Sequence, residues 1–237
     1  MTIVSSAMLL AAGLGLRMRP LTLTRPKPLV EVGGRALIDY ALDRLRAAHV
    51  AKVVVNVHYF AEQIESWASR QSEPPIVVSN ERAEVLDTGG GIKLALPHLG
   101  PHPFFVLNSD SFWLEQGQPA LDRLSAAWDD SRMDCLLLLC PIAQTVGYDG
   151  SGDFITAESG RLQRRSTSSR EALAYIGGYL VHPRLFADAP TGKFSMNLLW
   201  DRAIAVRRLH GLVHRGRWLH VGTPESIALA EAALADG

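Results

Sequence analysis

Short aliphatic runs that alternate with amphipathic stretches constrain this chain more than any other feature. The runs 6–11, 52–57, 76–78, 104–107, 135–141 and 176–181 are apolar nearly throughout, which is how a strand buried on both faces reads. Between several of them lie "ALIDYALDRLRAAH", with Leu37, Tyr40, Ala41 and Leu45 on one face, then "FAEQIESWASR" and "ALDRLSAAWDD". Their spacing is helical. Strand and helix in alternation predict a doubly wound, mostly parallel, Rossmann-like α/β sheet with helices on both faces. After residue 141 the alternation stops, and "GYDGSGDFITAESGRLQRRSTSSREALAYIGGYL" reads as hairpins and loops, a small β-rich part laid beside the sheet as a lid. Helices are expected over 194–206 and 224–234, the second with Thr223 as cap and Pro224 in the first turn. We read one domain in two halves, 1–141 and 142–237, without internal repeats.

Composition removes several classes of partner. The 237 residues carry 24 basic and 24 acidic side chains, so no global charge favours nucleic acid or an anionic membrane. No apolar run approaches the roughly 20 residues of a membrane span. The apolar start has no basic residue before Arg17, which argues against a secretory leader and for a cytoplasmic protein. Cys135 and Cys140 lie an odd number of residues apart in one strand, so they face opposite ways and stay reduced, and no Cys/His spacing suggests structural zinc.

The first strand runs into "LAAGLGLRMRPLTLTRPKPL". In an open α/β sheet, ligands sit at the carboxyl ends of strands, and a glycine-rich loop there can bring backbone N–H groups to a phosphate. Gly13 and Gly15 permit that approach, Arg17, Arg19 and Lys27 add charge, and prolines 20, 26 and 28 stiffen the loop. A dinucleotide fingerprint would need a third glycine where Met18 stands, and a Walker loop would need Gly-Lys-Ser/Thr, which is absent. From these residues alone the loop is a phosphate cradle or a structural turn.

The same stretch resembles the signature of the sugar-1-phosphate nucleotidylyltransferases, Leu-Ala-Ala-Gly-x-Gly-x-Arg-Met/Leu-x-Pro-Leu-Thr followed by Pro-Lys-Pro. "LDTGGGI", "NSD", "YIGGYLVHP" and "WLHVGTPE" follow in that family's order, so the resemblance spans almost the whole chain. Within the family the chain is most similar to the N-acetylmuramate-1-phosphate uridylyltransferases, which lack the C-terminal β-helix of larger members. The resemblance implies a nucleotidyltransferase that joins a nucleoside triphosphate to a sugar-1-phosphate and releases pyrophosphate. UTP and N-acetylmuramate-1-phosphate, in cell-wall recycling, are the implied pair. It implies Mg²⁺ as cofactor, with Mn²⁺ as a substitute, and no partner beyond the two substrates and the copies of a small homo-oligomer, if the chain is not a monomer.

Carried over position by position, the resemblance gives 1–141 the nucleotide and 142–237 the sugar. Ala11, Ala12, Gly13 and Gly15 would hold the triphosphate, Arg17 would steady pyrophosphate, and Lys27 would neutralise charge at the α-phosphate. Glu81, Thr88 and Gly89 would meet the nucleoside, with Gly89 and Gly90 as a flat surface under the base before a helix at 92–96. Asn108, Asp153 and Gly177 would face the sugar phosphate, although Asn108 could equally finish its strand and Gly177 could mark a bulge. Asp110 would be a metal ligand, or a turn cap. His220 stands where many relatives have aspartate as a second ligand, and imidazole is a poorer partner for Mg²⁺. No Glu-Lys-Pro motif precedes "YIGGYL"; Arg164 and Arg165 stand nearby as candidate phosphate cations or as solvated loop residues. Mannose- or heptose-1-phosphate guanylyl transfer, and a nucleotide sensor without turnover, are the alternatives.

Overall fold

The computed structural model describes residues 2–157, 159–167 and 171–236. In chain order the elements are β1 (Ser6–Leu10), the ribbon β2 (Glu31–Val32) and β3 (Arg35–Ala36), α1 (Leu37–Ala47), β4 (Lys52–Val57), α2 (Ala61–Ser69) and β5 (Ile76–Asn80). Next come α3 (Asp87–Leu99), β6 (Phe104–Asn108), β7 (Ser111–Trp113), α4 (Ala120–Ala127), β8 (Cys135–Pro141) and β9 (Thr145–Val146). The chain ends with β10 (Phe154–Thr156), β11 (Leu162–Arg164), β12 (Leu173–Val181), α5 (Met196–Ala205), β13 (Leu209–Val213), β14 (Trp218–His220) and α6 (Glu225–Ala235).

Strands β5, β4, β1 and β6 are parallel neighbours in that order. Beyond β6 the sheet turns mixed: β12 runs antiparallel to both β6 and β8, and β13 lies parallel to β8. The β10–β11 hairpin joins the edge through β12, as expected for the second half, although residues 158 and 168–170 of that stretch lie outside the described residues. Period-two alternation puts Ala7, Leu9, Val53, Val55, Phe105 and Leu107 on one face, under α1, α2 and α4. Met8, Val54, Phe104 and Val106 face α3 and α5 on the other. Cys140 sits in the first core and Cys135 in the second, both as free thiols, as their odd spacing requires. Met196, Leu199 and Trp200 are part of the second core. A third cluster ties α6 to Met18, Phe112 and Leu219, so the C-terminal helix anchors the loop after β1.

Three expected helices begin elsewhere, and the one expected over 194–206 covers Met196–Ala205. The last starts at Glu225, and no side chain caps it, so Thr223 does not play that part. The helix expected at 92–96 extends over Asp87–Leu99, with all three glycines inside it. Glycine costs a helix about 1 kcal/mol against alanine, and close packing offsets that cost here. A Cβ on Gly89 would fall 2.4 Å from the Phe194 ring, one on Gly90 2.3 Å from the Gly192 carbonyl oxygen, and one on Gly91 2.4 Å from Glu81 Oε1. Among the described residues no helix is long and apolar enough to cross a membrane.

Candidate active site

The carboxyl ends of β1, β4, β5 and β6 open on one cleft, and buried hydrogen bonds fix its floor. Asn56, near the end of β4, accepts from the Ala11 N–H through Oδ1 at 2.7 Å and donates from Nδ2 to Glu81 Oε1 at 2.7 Å. The Leu86 N–H donates to Glu81 Oε2 at 3.1 Å. Glu81 is 3% exposed, and burial pushes its carboxyl above the ordinary value despite these donors. Where the glycine loop begins is therefore set from two neighbouring strands.

The loop then turns back on itself. Gly15 adopts the left-handed conformation (φ 62°), and its carbonyl accepts from Thr22 Oγ1 at 2.8 Å and from the Met18 N–H at 2.9 Å. Tyr59 Oη donates to the Thr22 carbonyl at 2.8 Å, pinning the far limb. Met18 is driven into the third core, which leaves the neighbouring Arg17 exposed and turned toward Gly222: a Cβ there would lie 3.5 Å from Arg17 Nη1.

Lys27 is a lysine at 7% exposure, and its Nζ donates to Asp110 Oδ2 at 2.9 Å. Burial raises the Asp110 carboxyl, but Lys27, then His220 and Arg17, outweigh it and bring the group below its ordinary value. His220 is half-buried behind Gly222, with Nδ1 lacking a hydrogen-bond partner among the described residues. Burial lowers its pKa, and Lys27 and Arg17 add to that against the pull of Asp110, so the ring is neutral at pH 7.

The cleft has a volume of ≈ 580 Å³. Of the residues singled out in the sequence, Ala11, Ala12, Gly13, Gly15, Arg17 and Lys27 line it from the loop. Glu81, Thr88, Asn108 and Asp110 line it from the opposite wall. Asp153 lies instead in an adjoining lobe of ≈ 200 Å³ that shares Thr88 and Asn108 with the cleft, and its Oδ2 accepts from the Tyr175 N–H at 2.9 Å. Arg164 borders that lobe but is held by Asp201 at 2.7 Å, so it is not a free surface charge. Two expectations fail. Gly89 is no open surface for a base: it is buried under Phe194, and its N–H donates to the Phe194 carbonyl at 2.9 Å. Gly177 lines neither cavity; it lies at the bulge in β12 with φ +83°, where a Cβ would come 3.0 Å from Asn108 and Ser111. Asn56 and Lys193 line the cleft without having been singled out. An asparagine between the valines of "KVVVNV" was the one available sign of the first.

A model of the MobA-like NTP transferase domain matches residues 7–145, more than half of the chain. The chain belongs to the MobA-like NTP transferase family. The transferase is 47% identical over 234 residues to an N-acetylmuramate alpha-1-phosphate uridylyltransferase of Caulobacter vibrioides, covering 97% of each chain. It is 33% identical over 229 residues to the enzyme of that name from Neisseria meningitidis serogroup B, covering 95% of this chain and 96% of the relative. Among solved structures, the inositol-1-phosphate CTP transferase from T. maritima superposes with a TM-score of 0.78 at 15% identity, over 96% of this chain and 95% of that one, and so shares the fold. The transferase is an enzyme of the sugar-1-phosphate nucleotidyltransferase kind.

Proposed function

We propose that this transferase joins UTP to N-acetylmuramate α-1-phosphate, releasing pyrophosphate and forming UDP-N-acetylmuramate for reuse of cell-wall sugar. The observation that carries the reading is the near full-length identity to the Caulobacter enzyme. The cleft is consistent with it, because one wall offers glycine backbone and cations and the other leads into a polar lobe of sugar size.

In the step itself, an oxygen of the sugar phosphate attacks the α-phosphorus of UTP and a new P–O bond forms. The bond from that phosphorus to the β-phosphate breaks, and its electron pair leaves with pyrophosphate. The nucleophile is already an anion, so no general base is required, and stabilising charge is the main task of the protein. Gly13 and Gly15 turn backbone N–H groups to the triphosphate, while the N–H of Ala11 is occupied by Asn56 and only shapes the loop. Arg17 meets the departing pyrophosphate. Lys27 sits where the α-phosphate enters and holds Asp110 in place. Asn108 and Asp153 face the sugar side.

A divalent cation fits this donor set at Asp110. Among the described residues no group of three or more His, Cys, Asp or Glu could hold a metal unaided, so substrate phosphates and water would complete the shell, the usual arrangement for Mg²⁺. The ion would neutralise charge on the reacting phosphates. His220 supplies nitrogen, which suits Mn²⁺ better than Mg²⁺.

Pyrophosphate release tests the reading, with UTP, GTP, dTTP, CTP and ATP crossed against N-acetylmuramate-, N-acetylglucosamine-, glucose- and mannose-1-phosphate. The largest signal is expected from UTP with N-acetylmuramate-1-phosphate. A larger one from GTP with mannose-1-phosphate would establish the guanylyl alternative, whose named relatives match more weakly. Nucleotide binding without turnover in any combination would favour a sensor.

A further inference from the structure

The helix α3 carries a seat for the segment 188–196, and the seat is built from Gly89 and Gly90. The N–H groups of Gly89 and Gly90 both donate to the Phe194 carbonyl, at 2.9 and 3.0 Å, and the Phe194 N–H donates to the Leu86 carbonyl at 3.1 Å. Thr88 Oγ1 accepts from the Met196 N–H at 2.9 Å. Lys93 Nζ donates to the carbonyls of Ala189 and Pro190 at 2.6 and 3.1 Å, and Arg202 ties down the Asp188 carbonyl at 2.8 Å. Any side chain at Gly90 would strike the Gly192 carbonyl, so the close approach depends on that residue type.

All of this fixes backbone, and one residue of the segment, the exposed Lys193, borders the main cleft. Lys193 lines the main cavity together with Asp87, Thr88 and Asn108, beside the opening into the smaller lobe. Its Nζ takes part in none of the anchoring bonds and in no ion pair among the described residues. The other lysine of the cleft, Lys27, is committed to Asp110, and Arg17 reaches the Gly222 side. Two polyanions that meet for an in-line displacement need positive charge on both, and Lys193 borders the cleft with Asp87, Thr88 and Asn108, the residues shared with the lobe that the proposed function gives to the sugar.

We propose that Lys193 binds the phosphate of the incoming sugar-1-phosphate, on a backbone platform held in register by Gly89 and Gly90. Lysine suits this as a compact point charge on a flexible stem, here carried by backbone that the bonds at Phe194 and Met196 hold. The proposal rests on the transferase reading but not on which sugar or base is used.

The test compares Lys193→Met, which keeps the stem, with Lys193→Arg, using the sugar-1-phosphate and nucleotide that the wild type turns over fastest. For K193M, kcat/KM toward the sugar-1-phosphate should fall about 30- to 100-fold, the loss expected for one charge-assisted contact to phosphate. KM for the nucleotide should stay within about twofold, and K193R should recover most of the loss. Gly90→Ala should show the same split between substrates, and adding K193M to it should cost little more. Equal losses toward both substrates, no loss, or K193R as poor as K193M would overturn the proposal. If the wild type turned over no pair, the transferase reading would fall on its own. Titration of glucose-1-phosphate into nucleotide-bound wild type and K193M would then decide: binding lost only in the variant supports the site, and equal binding refutes it.

Discussion

Asn56→Ala removes a side chain that is 3% exposed and joins two parts of the floor. In the native protein Asn56 satisfies the Ala11 N–H and donates to Glu81, each at 2.7 Å. Truncation leaves a buried amide without a partner, at about 1–3 kcal/mol, and takes a donor from a buried carboxylate, at about 1.5–3 kcal/mol. The sum is about 2.5–6 kcal/mol. For a domain of this size each kcal/mol lowers Tm by about 2–4 °C, so N56A should melt about 5–24 °C below wild type by calorimetry. Asn56→Asp should be worse and should depend on pH. Glu81 already has its pKa raised by burial, so the folded state holds its proton more tightly than the unfolded state, and stability is lost as pH rises from the ordinary carboxylate value through the raised one. A second carboxylate beside it raises that value further, so the Tm deficit of N56D should shrink on acidification. If N56A melted within about 2 °C of wild type, or N56D showed no relief in acid, the account of the loop floor would be refuted.

Other expectations follow from the same geometry. Lys27→Met should lower kcat about 10²- to 10³-fold in steady-state assays of pyrophosphate release, the scale for losing one fixed charge at a reacting phosphate; a change below about threefold would remove Lys27 from the reaction. His220→Asp should keep or increase activity with Mg²⁺ and reduce any advantage of Mn²⁺, and a large loss with both ions would show that the position is no ligand site. Burial lifts the Cys140 thiol to about 11 and also raises that of Cys135, so neither should react with a thiol reagent at pH 8 until the protein unfolds; stoichiometric reaction of the native protein would contradict the two-core arrangement.

The parts of this molecule that follow from local pattern could be read from sequence. Six apolar runs became strands of the sheet because burial on two faces leaves no other composition, and the five-residue spacing of Cys135 and Cys140 told which faces they meet. Gly13, Gly15, Arg17 and Lys27 lie on one continuous loop, so their convergence on a cleft was legible as well. What escaped depends on long-range contact. Gly89 and Gly90 of α3 look like a loop until Phe194 and Gly192, more than 100 residues away, are brought against them. Lys193 sits in an unremarkable "TGKFS" and acquires meaning only from that seat. Gly177 makes room for Asn108 and Ser111 across the sheet, a steric need that its own neighbours in sequence do not announce.

The central claim concerns which pair of substrates the cleft joins. The most direct measurement is kcat/KM for N-acetylmuramate α-1-phosphate with UTP against mannose-1-phosphate with GTP, in one preparation with Mg²⁺ and with the nucleotide sugar identified by mass. The account predicts that UDP-N-acetylmuramate forms with the larger value. A larger value for GDP-mannose, or pyrophosphate released without any UDP-N-acetylmuramate, would contradict it.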